Sequence, residues 1–200
     1  MFLFGFLLCV ASIAQAGPRR GYVFATIDIP GAQETVVEGI NDMGHVVGTS
    51  RVDIFDDEAT GFLLADGVVS PISIPDARNT IPQGINRDGS IVGSVISDGV
   101  PKGFLFENGE FTVFDVPLST GVCQTAAYMT NNSGQVVGEY LDLCEVSNRQ
   151  HGFLFDDGEF VSIDFPGAHG TVANGMNNRG HIVGFFYGDT PETAEPRGFV

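Results

Sequence analysis

Carboxylates and histidines are the residues of this chain whose types and spacing suit chemistry. The run D-I-F-D-D-E places Asp53, Asp56, Asp57 and Glu58 within one short stretch. Such a density of oxygen donors suits calcium, which takes about six to eight oxygens. The run lacks the D-x-D-x-D-G loop pattern, so calcium is a secondary candidate and no other cofactor is implied. Asp142, Glu145, Asp189, Glu192 and Glu195 admit paired carboxylates for glycoside hydrolysis, but spacing singles out no pair. No motif sets a serine or cysteine beside His151 or His169, so a nucleophilic triad is unsupported. Arg78, Asp142, Arg149, His151, His169 and Asp189 are better read as ligand contacts than as catalysts.

Charge narrows the partners. Twenty-five acids against nine bases give a net charge of −16, and the single lysine is Lys102. Nucleic acid and anionic membrane surfaces need clustered Lys and Arg, and this chain repels them. Acidity of this kind suits the solvated surface of a secreted protein. Residues 1–16, MFLFGFLLCVASIAQA, are apolar and end in Ala14-Gln15-Ala16, the small-x-small pattern of a secretory signal peptide, although no Lys or Arg precedes the apolar run. Nothing later approaches the length of a membrane span. Cys9 belongs to the signal core, which leaves Cys123 and Cys144 as a disulfide pair in an oxidising compartment.

The elements that position these residues repeat. GINDMGHVVG at residue 39 returns as GINRDGSIVG, MTNNSGQVVG and GMNNRGHIVG. The turn asparagines Asn41, Asn86, Asn131 and Asn177 are spaced by 45, 45 and 46 residues, and the turn glycines Gly44, Gly89, Gly134 and Gly180 follow them. The asparagine side chain bonds its own backbone two residues on, and the glycine supplies the left-handed conformation that closes the hairpin, so both are structural. A period near 45 built from short strands marks propeller blades, each a sheet unable to bury both faces alone.

Every period holds four strand-like pieces. The D-G and N-G turns at 65–67, 107–109 and 156–158 close a second hairpin, and a following I-D-I-P-like stretch ends in a proline that suits an edge strand at the rim. The TVVEGIN-type strand is then innermost. The expected fold is all-β: a four-bladed β-propeller of about sixteen short antiparallel strands over residues 17–200. Its repeats run roughly 35–75, 80–117, 125–166 and 171–200, with residues 21–30 supplying the missing rim strand of the last blade. A fragment of a larger propeller is the alternative, because the final GFV stops inside the motif.

The units GINDMGHVVG, HGFLF and EFVSIDFPGAHGT resemble the HAF family of probable extracellular repeats, over roughly residues 21–200. The resemblance implies an exported bacterial protein with a repetitive β fold and brings no catalytic residues. Blade three departs from it, with Met129-Thr130-Asn131 in place of G-I-N and longer outer connections.

Comparison of the copies separates two edges. Variation gathers after the second strand, at 49–60, 94–102, 139–151 and 185–197, and after the fourth, at 30–35, 75–80, 117–125 and 166–171. These connections emerge on one edge of the ring, where diverse loops on a rigid scaffold are expected to bind. Cys123 and Cys144 fall there, and a disulfide between them closes a loop worth about 3 kcal/mol by chain entropy. Phe62, Phe104 and Phe153 suit packing between blades better than stacking on sugars. The expected protein is a monomeric, non-enzymatic binding module for a polysaccharide or a surface protein. A glycan-active enzyme, or a spacer in a larger surface protein, are the alternatives.

Overall fold

A computed structural model describes residues 12–14, 24–55, 58–117, 122–142, 149–188 and 195–200. Two short strands, β1 (Ser12–Ala14) and β2 (Phe24–Thr26), precede the repeats. The first blade is β3 (Glu34–Ile40), β4 (Val46–Arg51), β5 (Thr60–Ala65) and β6 (Val68–Ile72). The second is β7 (Arg78–Ile85), β8 (Ile91–Ser97), β9 (Val100–Glu107) and β10 (Glu110–Phe114). The third is β11 (Val122–Thr130), β12 (Val136–Asp142), β13 (Arg149–Asp156) and β14 (Glu159–Ile163). The fourth holds β15 (Gly170–Met176), β16 (Ile182–Tyr187) and β17 (Arg197–Phe199). Among the described residues there is no helix, hence none long and apolar enough to cross a membrane. The four antiparallel sheets form a four-bladed β-propeller, each sheet running from inner to outer strand in chain order.

Turn chemistry sets each hairpin. Asp66, Asn108 and Asp157 take φ of 50°, 53° and 49°, each followed by a left-handed glycine, the pattern of a two-residue turn whose twist matches its strands. Asp98 and Gly99 do the same between β8 and β9. Each inner hairpin also slips register by one residue at Glu38, Gln83, Tyr128 or Asn174, a β-bulge kept in all four copies.

The core lies between blades. Val47 and Ile72 of the first blade pack against Ile85, Ile91, Val95 and Phe104 of the second. Val92 and Val116 of the second pack against Ala127, Val136, Tyr140 and Phe153 of the third. Phe62, Phe104 and Phe153 are 2%, 0% and 0% exposed, which makes them packing residues and leaves no ring face for a sugar. The glycine inside each second strand is required by the inner strand of its own blade, whose carbonyl a Cβ would meet at 1.9–2.0 Å. A Cβ on Gly93 stands 2.0 Å from the Ile81 carbonyl oxygen and 2.8 Å from the Phe104 ring. The inner strands β3, β7, β11 and β15 pack on one another in sequence around the axis.

Two expectations are corrected. The N-terminal strand does not complete the last blade: β2 pairs with β1, in register Ser12 with Thr26, and the fourth blade's sheet is β15-β16-β17. Those two strands bring the described total to seventeen rather than sixteen. The connections after second strands are also shorter than expected, because Asp142 ends β12 and Arg149 begins β13, so pairing extends into the region read as loop.

Candidate functional site

The invariant turns form one edge of the ring. In the first blade the Asn41 side-chain oxygen accepts from Met43 N and His45 N at 3.0 and 2.9 Å, which is the local bond expected. Its Nδ2 does something further, donating to the Asn86 carbonyl at 2.9 Å. Asn86 Nδ2 donates likewise to the Asn131 carbonyl at 3.0 Å, and Asn131 Nδ2 to the Asn177 carbonyl at 3.4 Å. A second rung joins the next residues, Arg87 N to Asn132 Oδ1 and Asn132 N to Asn178 Oδ1. These turns surround an axial cavity of about 190 Å³. The Nδ2 groups of Asn41, Asn86 and Asn131 and the Oδ1 groups of Asn132 and Asn178 are spent on this ladder, which makes the edge a frame.

The opposite edge carries the variation. At each blade junction a threonine hydroxyl at or near the start of an inner strand accepts the backbone N–H that ends the preceding rim segment. The bonds are Ile29 N to Thr35, Ile74 N to Thr80, Val116 N to Thr125 and Phe165 N to Thr171, at 3.4, 3.2, 3.4 and 2.9 Å. Outside each of these clasps lies a pair that changes from copy to copy. Lys102 meets Asp115 at 3.5 Å, and His151 Nδ1 meets Asp164 Oδ1 at 2.7 Å. The first blade holds Thr60 and Ser73 at the matched positions, where both line a polar cavity of about 190 Å³. Arg78 and Glu58 close that cavity with an ion pair at 3.1 Å, and Asn79 Oδ1 accepts from Ala59 N at 2.7 Å.

Blade three has the densest polar cluster. His151 and Asp142 are each 8% exposed, with His151 Nε2 3.4 Å from Asp142 Oδ1. The Tyr140 ring stacks on His151 at 4.8 Å, and its hydroxyl lies 3.3 Å from Ser162 Oγ. Burial raises the Tyr140 phenol above its usual range, with Asp164 and Asp142 adding to the effect and the Ser162 bond opposing it. Ser162 Oγ donates to Asp164 Oδ2 at 2.7 Å and not to the imidazole, so no serine–histidine pair forms here. The imidazole also fills the space between the two carboxylates, where a glycoside would have to lie.

On the other face of this blade Glu139, 6% exposed, accepts from Gln150 Nε2 and from the Tyr128 hydroxyl. Burial, then the Glu139 charge, pushes the Tyr128 phenol far up. The bulge explains the position of Tyr128, since it re-aims that side chain out of the regular alternation.

Of the residues expected to contact ligand, Asp142, Arg149 and His151 come together, with Asp142 directly opposite Arg149 across the β12–β13 pair. Arg78 stands apart, at the junction of blades one and two. The His169 N–H bonds the Tyr187 carbonyl at 3.2 Å at the entry to blade four. Among the calcium candidates, Asp53 Oδ1 accepts from Phe55 N and Glu58 pairs with Arg78. Asp56, Asp57, Cys144 and Asp189 lie outside the described residues, as do most of residues 1–16, where a signal peptide is expected. Cys123 stands on β11 with its Sγ 3.4 Å from the Leu141 carbonyl. Sequence reasoning missed the threonine clasps and the inter-blade reach of the asparagines. The threonine at the entry to each copy, Thr35, Thr80, Thr125 and Thr171, was the available signal for the clasps.

No protein-family model matches the chain, and no curated protein does.

Proposed function

We propose that this chain is an exported repeat protein of the HAF type that binds a polysaccharide through the variable edge of its propeller, with neither enzymatic activity nor a resident cofactor. Residues 1–16 direct export, and Cys123 and Cys144 join in the oxidising compartment. The observation that carries the reading is the division of labour between the edges. One edge spends its amides on the asparagine ladder, while the other presents side chains that differ from blade to blade around polar hollows. The cavity between Arg78, Glu58, Asn79, Thr60, Ser73 and Thr80 offers both signs of charge, amides and hydroxyls in a volume of about 190 Å³. That is a small polar seat matched to a hydroxyl-rich unit of a longer chain, with neighbouring junctions one blade away to take the next units. A non-enzymatic role is supported by the bonding of Ser162 to Asp164 and by the imidazole lodged between Asp142 and Asp164.

The test is retention on a panel of insoluble polysaccharides. Arg78 is exposed and its pair with Glu58 adds little to stability, so Arg78→Ala leaves the melting temperature essentially unchanged. It is expected to lose retention by about tenfold, and His169→Ala to weaken it. Equal retention of the wild type and both variants, or product release from any polysaccharide by the wild type, overturns the reading.

A further inference from the structure

The connection between β4 and β5 is longer than the fold requires, and its apolar side chains stand in water. Blade two crosses from β8 to β9 with Asp98 and Gly99 alone, whereas blade one takes residues 52–59 for the same crossing. In that stretch Val52, Ile54 and Phe55 are 74%, 53% and 90% exposed. Strands β4 and β5 already bury Val46, Val47 and Phe62, so the core does not call on these side chains. Single exposed apolar residues are ordinary on a protein surface, but a group of them on one inserted tip marks a surface built to be covered.

The tip is tied at both ends. Arg51, the last residue of β4, pairs through its guanidinium with Glu34, and its carbonyl accepts from Gln33 N at 2.8 Å. Asp53 Oδ1 accepts from Phe55 N at 2.9 Å, which turns the chain at the tip. At the far end Ala59 is 6% exposed, and its N–H is held by Asn79 Oδ1 at 2.7 Å. Glu58, Ala59 and Thr60 line the polar hollow that Arg78 closes. Phe55 precedes Glu58 by three positions, so their Cα atoms lie within about 11 Å of each other, a distance that a short run of linked sugar units spans.

We propose that Phe55 is the stacking platform of this site, and that the bound polysaccharide is a neutral chain of β-linked pyranoses with equatorial hydroxyls. This rests on the polysaccharide reading and adds the class of sugar. A pyranose whose hydroxyls are all equatorial turns axial C–H bonds to its faces, and these meet the negative face of a phenyl ring favourably. Its hydroxyls radiate in the plane of the ring, where Thr60, Ser73, Asn79 and the Arg78–Glu58 pair supply donors and acceptors for the unit that enters the hollow. Val52 and Ile54 widen the apolar surface beside Phe55. An axial hydroxyl or an axial linkage lifts the sugar off the phenyl ring, and a net charge of −16 repels a uronate chain. Because the tip is tied at both ends, it presents the ring at little ordering cost.

The test uses the full chain. It has no tryptophan, so Phe55→Trp places the sole indole at the tip. The emission of that variant is expected to shift to shorter wavelength with soluble cello-oligosaccharides and to stay unchanged with malto-oligosaccharides or oligogalacturonate. On insoluble cellulose, Phe55→Ala is expected to lose retention by about tenfold, while Phe55→Tyr is held like the wild type. Phe55 is exposed, so Phe55→Ala keeps the melting temperature of the wild type. Equal retention of the wild type and Phe55→Ala on a polysaccharide that Arg78→Ala no longer holds, or retention on α-linked or uronate polysaccharides alone, overturns this inference and leaves the polysaccharide reading standing. Retention of the wild type on no polysaccharide overturns both.

Discussion

Replacing Asn86 with alanine separates the two roles of the turn asparagine. Its Oδ1 accepts from Ser90 N at 2.9 Å within the turn, and its Nδ2 donates to the Asn131 carbonyl at 3.0 Å in the next blade. Asn86 is 6% exposed, so water does not readily replace either bond. Each lost bond costs about 1 kcal/mol net, and a half-buried Ser90 N–H left without its acceptor adds to that, which gives about 2–3 kcal/mol. The Asn131 carbonyl keeps Gly134 N as a donor at 3.1 Å, which holds the figure at that level. Asn177→Ala is the control. It removes bonds from Arg179 N and His181 N in an exposed turn but no bond to a following blade, and costs about 0.5–1 kcal/mol. Urea unfolding then reads the difference, about 1–2 kcal/mol, as the inter-blade share. Equal losses for the two variants would refute an inter-blade role and return the asparagines to simple turn residues.

Other outcomes follow from the same geometry. Gly93→Ala forces a Cβ to within 2.0 Å of the Ile81 oxygen and is expected to cost about 3 kcal/mol or more, whereas Gly175→Ala, with only Val183 nearby at 3.5 Å, stays within about 0.5 kcal/mol by urea unfolding. Because the Tyr128 phenol is raised in the folded chain, its contribution is complete below the unfolded value near 10 and declines as pH rises beyond it. Tyr128→Phe should therefore flatten the loss of stability above about pH 10 in thermal melts. Asp164→Asn removes the carboxylate that holds both His151 Nδ1 and Ser162 Oγ, and is expected to free the imidazole from one ring orientation, seen as exchange broadening of its NMR signals.

The blades were legible in the sequence because their signals are local. A turn asparagine, a left-handed glycine and two-residue alternation act within a few residues, and they recur four times. The bond from Asn41 to the Asn86 carbonyl spans 45 residues, and no local rule exposes it. Asp98-Gly99 follows the same turn chemistry as the other hairpins but lies inside a connection whose sequence varies from copy to copy. The extension of β12 and β13 was hidden for a different reason. Glu139, Asp142, Arg149 and His151 look like loop residues by polarity, and they enter paired strands because charge partners and cross-strand neighbours satisfy them there. The destination of β2 turned on competition between two possible strand partners, which composition does not rank.

Hydrogen exchange with and without a retained polysaccharide tests the central claim, that one edge frames and the other binds. Slower exchange on binding is expected in residues 58–60 and 76–80, around Arg78, with no change at the turns that begin at Asn41, Asn86 and Asn131. Protection centred on those turns, with the Arg78 edge unaffected, contradicts it.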